Sequence, residues 1–319
     1  MGMLATALAP AALGAPNGAA SPVQLRVAKG LGTRPYGTLR VSVITKAADA
    51  PPAHFDFDYS EPFAHRWKQF ALHSSLVSVT GSSLNLTLGN TTTAIGLPPQ
   101  GAGVAGVLIA DPCTRIGSLT SLGGCRYAEK FKTKDRTPAL LNAFVGDAAT
   151  SFWGILGDNW YDRTGDLTEK IYDKLSLSTL AKPFVTVPGN HDYWILEPAL
   201  AERKKDQFAN GFMQYYAMDT LAARRASPGA SGDAARPFNT SIDPSDNGSL
   251  PDIDNSLWYQ QFGNLGMIGF SCAYDLQPIV ARLGEACAWL PTQPGLEVAV
   301  LMGHWDTKNM GASADTMTP

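Results

Sequence analysis

The feature that most constrains the fold is a repeated event: an apolar run of strand length ends in a glycine-led loop carrying side chains that can ligate a metal. Residues 152–156 run into Gly157-Asp158-Asn159-Trp160-Tyr161, residues 184–187 lead into Gly189-Asn190-His191-Asp192, and residues 298–302 run into Gly303-His304-Trp305-Asp306. In an open α/β sheet, function collects at the carboxyl ends of the strands. Taken singly, Gly-Asp and Gly-Asn pairs are ordinary turns; the coincidence of the loops is what points to one site.

The intervening sequence fits that sheet. Residues 107–110 form another apolar run, ending at Asp111. Thr137-Pro138 reads as an N-cap and first-turn proline opening a helix with Leu140, Leu141 and Phe144 on one face. Residues 167–180, with Ile171 and Leu175 four apart, read as one helix, and residues 199–224 as a long helix interrupted at Gly211. Residues 226–256, rich in Ser, Pro, Gly, Asp and Asn, read as an exposed loop or insertion. A strand over 265–271 and a helix over 280–290 precede the last apolar run. This strand–helix alternation predicts a mainly parallel sheet covered by helices, that is, an α/β fold.

The first part of the chain is organised differently. Residues 1–20 are apolar and Ala-rich without a basic n-region, and are expected to be a signal or an unstructured segment. Residues 21–105 read as a β-rich N-terminal region, with strand-like runs at 24–27, 39–45, 76–79 and 84–88. His54, His65 and His73 fall in this stretch without ligand-like spacing and read as ordinary histidines. The remaining residues, 106–319, form the second expected domain, which carries the glycine-led loops.

Composition narrows the partners. The 319 residues are 45% hydrophobic and 17% charged, a globular balance, and the net charge of −3 comes without a Lys/Arg block, which argues against a nucleic-acid ligand. No apolar run is long enough for a transmembrane helix. Cys113, Cys125, Cys272 and Cys287 fall into two locally spaced pairs, and two disulfides are the natural expectation in an oxidising compartment. Sequons at Asn85, Asn90, Asn239 and Asn247 point the same way, to a secreted or endomembrane-lumen glycoprotein. The sequence does not fix an oligomeric state.

The chemistry follows from the donor types. Hard and borderline cations take oxygen from Asp and Asn and nitrogen from His. Asp158, rigidly placed at a strand end, suits a bridging carboxylate between paired ions about 3.5–4 Å apart. Tyr161 would reach the same ion as a phenolate, which suits ferric iron. Asn190 offers an amide oxygen and His304 an imidazole to the other ion. His191 would then face substrate, stabilising phosphoryl charge or protonating the leaving alkoxide. Asp192 is suited to orienting a His ring.

Together Gly157-Asp158-Asn159-Trp160-Tyr161, Gly189-Asn190-His191-Asp192 and Gly303-His304 resemble the calcineurin-like metallophosphoesterase superfamily, and the Tyr161 variant of the first motif most resembles its purple acid phosphatase branch. The resemblance covers roughly residues 105–319. It implies a four-layer α/β/β/α sandwich, two metal ions (iron with zinc, manganese or a second iron), and hydrolysis of small-molecule phosphate esters by a metal-bridging hydroxide. It assigns Asp158 as bridge, Tyr161 to the first ion, Asn190 and His304 to the second, and His191 to the leaving group, and makes Asp111 a candidate ligand. Two departures stand out. Cys113 occupies the place where the family has His or Gly two residues after that Asp, and no histidine follows His304, so the family's closing Gly-His-x-His loop is missing and the domain is expected to continue past Pro319. A non-catalytic metal- or phosphate-binding protein of the same type is the competing expectation.

Overall fold

The computed structural model describes residues 24–29, 35–46, 57, 59–62, 70–79, 83–88, 90–115, 125, 127–162, 165–189, 191–192, 210–218, 257–271 and 276–304. The expectations for residues 1–20, His54, His65, Asn190, residues 226–256, Asn239, Asn247, Cys272, Trp305 and Asp306 lie outside them.

The fold is mixed α/β with several sheets. The largest has seven strands in the order β3-β4-β2-β1-β9-β8-β7. Its antiparallel half is β1 (Gln24–Lys29), β2 (Thr38–Lys46), β3 (Tyr59–Pro62) and β4 (Phe70–Ser78); its parallel half is β7 (Ala105–Ile109), β8 (Thr150–Ile155) and β9 (Phe184–Thr186). The halves are joined where β1 runs parallel to β9 at Ala28 and Phe184. The β-rich N-terminal stretch is therefore continuous with the sheet that carries the glycine-led loops, although residue 105 divides the two by composition. A second sheet, β10 (Leu257–Phe262), β11 (Leu265–Ser271) and β12 (Val298–His304), pairs antiparallel and then parallel, and β5 (Ser83–Leu88) with β6 (Thr91–Gly96) forms a separate hairpin. Asn85 and Asn90, on that hairpin, are both exposed.

The central strand β1 is buried along its whole length, polar residues included. Its charges are absorbed by stacking and hydrogen bonding. The Arg26 guanidinium lies 3.5 Å from the centre of the Tyr172 ring, and its Nε donates to the Tyr215 carbonyl at 3.1 Å. Tyr172 belongs to α2 (Asp166–Tyr172), and Tyr215 and Tyr216 to α4 (Asn210–Tyr216). The alternation of β8 sends neighbouring aromatics to opposite sides. Trp153 meets Tyr172 with ring centres 6.3 Å apart, while Phe152 stacks on Phe262 of β10 at 4.7 Å. Trp258 of β10 donates its indole N–H to the Thr186 carbonyl of β9 at 2.7 Å, tying the sheets together next to the loops. On the far side of β10, Tyr259 packs against Trp289 of α5 (Leu276–Trp289) at 5.0 Å.

The helices differ from expectation in instructive ways. The first, α1, spans Thr133–Phe144, so Pro138 sits inside it and not at its first turn. A proline there has no N–H to give the carbonyl four residues back. That carbonyl, on Lys134, accepts from Lys174 Nζ instead, at 3.2 Å. Only Leu141 of the expected apolar face is buried, while Leu140 and Phe144 are exposed. The helix expected over 167–180 is two: α2 ends at Tyr172, and α3 (Leu177–Leu180) starts from Ser176, whose hydroxyl accepts the Thr179 N–H at 3.3 Å. A serine cap inside an apolar repeat breaks the helix because it offers the backbone an alternative acceptor. Likewise α4 stops at Tyr216, where Ala217 turns left-handed (φ 50°), short of the long helix expected to reach residue 224. Among the described residues, no helix is long and apolar enough to cross a membrane.

Of the cysteines, Cys113 and Cys125 are joined by a disulfide. Cys287 is an exposed free thiol, so the second bridge expected from the spacing is not formed. His73 is a buried packing histidine, between the Thr45 hydroxyl at 2.9 Å and the Ser60 hydroxyl at 2.7 Å, and burial lowers its pKa.

Candidate metal centre

The carboxyl ends of β7, β8 and β12 converge. They bring Asp111, Asp158 and His304 together so that one ligand atom from each lies within 4.8 Å of the others. His304 is held by a 2.8 Å contact of Nδ1 with the Leu156 carbonyl, which requires the proton on Nδ1 and turns the other nitrogen inward. That nitrogen, Nε2, lies 3.4 Å from Asp158 Oδ1. The donor from the second sheet thus meets the donor from the first.

Both leading glycines are required by this approach. At Gly157, where φ is 74°, a β-carbon would collide with the His304 ring; at Gly189 it would collide with the Asp158 carboxylate and backbone nitrogen. The backbone around the donors is itself unusual. Among the described residues, six non-glycines have positive φ, and four of them, Asp111, Asp158, Trp160 and Tyr161, belong to these loops. Such conformations persist only where the surroundings over-determine them, and they gather at functional sites.

Asp158 is 2% exposed. Its Oδ1 accepts the His191 N–H at 2.9 Å, and the His191 ring nitrogen Nε2 lies 3.8 Å from Oδ2. Burial pushes its pKa up to about 6, the charge of Asp111 adds to that, and His304 and the His191 N–H oppose it. Asp192, fully buried, is likewise raised by burial and by Asp158. Acidic groups pressed together in a low-dielectric site favour a bound cation, which would offset their charge and hold them ionised. The donor set therefore fits a divalent or trivalent ion.

Tyr161 is placed beside both acids. Its hydroxyl donates to Asp111 Oδ1 at 3.0 Å, its ring centre is 4.7 Å from that of His191, and burial followed by the Asp158 charge raises its pKa. A phenolate here needs a strongly Lewis-acidic ion to form. The structure thus brings Asp111, Asp158, Tyr161, His191 and His304 to one place, while Asn190 is outside the described residues.

Asp192 does something other than orient a histidine. Its carboxylate accepts the Asn159 N–H at 2.9 Å and the Gly189 N–H at 2.8 Å, so it staples the two loops by their backbones. Asn159 reinforces the link through Thr186 of β9, with its side-chain nitrogen 3.0 Å from that hydroxyl. Neither role leaves a pattern in the sequence, since Asp192 binds backbone groups, one of them in the other loop, and Thr186 is far from Asn159 along the chain. Thr114, whose N–H and hydroxyl lie 3.5 Å and 3.3 Å from the Trp160 carbonyl, was also overlooked. In the sequence its segment is marked by Asp111 and Cys113.

No protein-family model matches the chain, and no curated protein matches it in sequence.

Proposed function

We propose that this protein is a metal-dependent phosphoesterase of the calcineurin-like kind, closest in chemistry to the acid phosphatases, acting on small-molecule phosphate esters. One observation carries the reading: Asp111, Asp158 and His304, from strand ends in two different sheets, present donor atoms within 4.8 Å of one another. The proposal includes a four-layer α/β/β/α arrangement. Supporting it are the contacts of Trp153 with Tyr172, Phe152 with Phe262 and Tyr259 with Trp289, which run in sequence from helix to sheet to sheet to helix.

Asp158, Asp111, Tyr161, His304 and, outside the described residues, Asn190 would hold two ions, iron with zinc, manganese or a second iron. When bound, the ions would supply Lewis acidity toward phosphoryl oxygen and acidify water. The chain's own contribution is placement and proton handling. Asp192 and the glycines fix the two loops against each other. The His191 ring, at the Asp158 and Tyr161 side of the cluster, is the candidate acid for the departing alkoxide. The Cys113–Cys125 disulfide, with the exposed sequon residues Asn85 and Asn90, supports placement in the secretory route.

The test is turnover of an aryl phosphate by the iron-, zinc- or manganese-loaded protein, lost together with metal in Asp158→Ala. Tight metal binding without hydrolysis of mono- or diesters defeats the enzymatic reading. That outcome would favour the alternative, a non-catalytic metal- or phosphate-binding protein, for which one observation speaks: Cys113 is committed to a disulfide and is no metal ligand.

A further inference from the structure

Asp111 is the donor whose position the local sequence opposes. It is exposed, and it follows β7, which among the described residues is an edge strand paired on one side. Its φ of 47° is left-handed. A side chain with a β-carbon disfavours that region, and the following residue, Pro112, pushes its predecessor toward extended backbone instead. Among the described residues, the hydrogen bond to its carboxylate comes from Tyr161, a side chain that is itself partly exposed. Something beyond Asp111 must hold this conformation.

The holding contacts lie immediately downstream. Cys113 is bonded to Cys125, twelve residues on. The Cys113 carbonyl accepts the hydroxyl of Thr133, the first residue of α1, at 2.8 Å. The Cys125 N–H donates to the Arg115 carbonyl at 2.9 Å, and Thr114 reaches the Trp160 carbonyl in the loop of Asp158. The covalent link fixes the chain two residues beyond Asp111. It falls where a single backbone rotation at Asp111 would swing the carboxylate away from Asp158 and His304.

We propose that the Cys113–Cys125 disulfide is a positioning element for the metal ligand Asp111: it ties the segment after β7 to the chain ahead of α1, next to the bonds that Cys113 makes with Thr133 and Thr114 with the Asp158 loop, and so holds a left-handed aspartate in ligating position. The inference rests on the metal-centre reading above. It makes formation of the disulfide a condition for full metal affinity, and so ties maturation of the site to an oxidising compartment. It also accounts for a cysteine two residues from a ligand that does not itself ligate.

The experiment is calorimetric titration of the full chain with Mn²⁺ and with Zn²⁺. In Cys113→Ser/Cys125→Ser, affinity falls about 10–100-fold, the range for losing a group that orients a ligand. In an Asp111→Asn background the same cysteine substitutions change affinity little further, because the ligand they position is gone. Unchanged affinity in the double serine variant overturns the proposal, as do losses that multiply independently of Asp111. Circular dichroism melting checks that the variants fold. If the serine pair does not fold, Thr133→Val decides the matter, since it removes the bond to the Cys113 carbonyl together with only a longer one, 3.4 Å, to the Ala128 carbonyl: a severalfold loss that disappears in Asp111→Asn supports the proposal, and wild-type affinity overturns it. A wild-type chain that binds neither ion overturns the metal-centre reading itself, a distinct outcome.

Discussion

The two acids of the site are held in opposite ways. Asp158 follows a strand paired on both sides and is 2% exposed; the missing β-carbon of Gly189 makes its room, that of Gly157 makes room for the His304 ring beside it, and a backbone N–H binds its carboxylate. Asp111 follows a strand at the edge of the described sheet and is exposed; its backbone is left-handed like that of Asp158, but here a following proline opposes that angle. The buried acid is placed by packing, which needs no covalent help because close-packed neighbours leave it nowhere to go. The exposed ligand has no such walls, and a disulfide takes their place. The proposed centre thus draws its donors from a rigid half and a tethered half.

The largest effects belong to the rigid half. Gly189→Ala would place a β-carbon against the Asp158 carboxylate and backbone nitrogen, so titration should detect no metal binding, as with removal of Asp158 itself. If Gly189→Ala binds metal normally, the loops are looser than their packing implies and the contrast with Asp111 collapses. Next is Asp192→Ala, which strips the acceptor from the Asn159 and Gly189 N–H groups. Each buried donor left without a partner costs on the order of 1–3 kcal/mol, so urea unfolding should show a loss of that size or twice it. A loss below about 0.5 kcal/mol, the size of an ordinary surface substitution, would mean that water reaches the staple. The smallest effect is expected on the tethered side. Tyr161→Phe keeps the ring against His191 but removes the hydroxyl bond to Asp111. Its metal affinity should fall less than in Asp111→Asn, and iron-loaded protein should lose any phenolate-to-iron absorption band. A band that survives in Tyr161→Phe would take the phenolate out of the coordination shell.

How much of this was legible in the sequence follows the same division. The strand ends of the parallel half read well, because buried parallel strands are continuous apolar runs and because Gly157 and Gly189 mark where backbone must pass close to something. Strand β10 did not read as a strand, since Leu-Trp-Tyr-Gln-Gln-Phe carries paired glutamines. In the structure Gln261 is buried and satisfied by the Gly263 and Pro294 carbonyls at 2.8 Å and 2.9 Å, partners no local pattern reveals. The junction of β1 with β9 was hidden for a related reason: it pairs residues more than 150 positions apart, and a composition change near residue 105 masks a continuous sheet. The split of residues 167–180 into two helices was in principle readable from Ser176, but the apolar repeat of Ile171 and Leu175 outweighed it. At the site, donor types were legible and their supports were not. Asp192 acts on backbone groups, and the bond between Cys113 and Cys125 acts on a backbone angle, neither of which leaves a side-chain signature.

The central claim is that these strand ends form one metal centre. Anomalous diffraction from crystals of the protein soaked in Mn²⁺ or Zn²⁺ tests it directly. The expected result is a peak at coordination distance, about 2.0–2.2 Å, from Asp111, Asp158 and His304 together. A well-diffracting soaked crystal with no peak there, or with its peak at other residues, would contradict it.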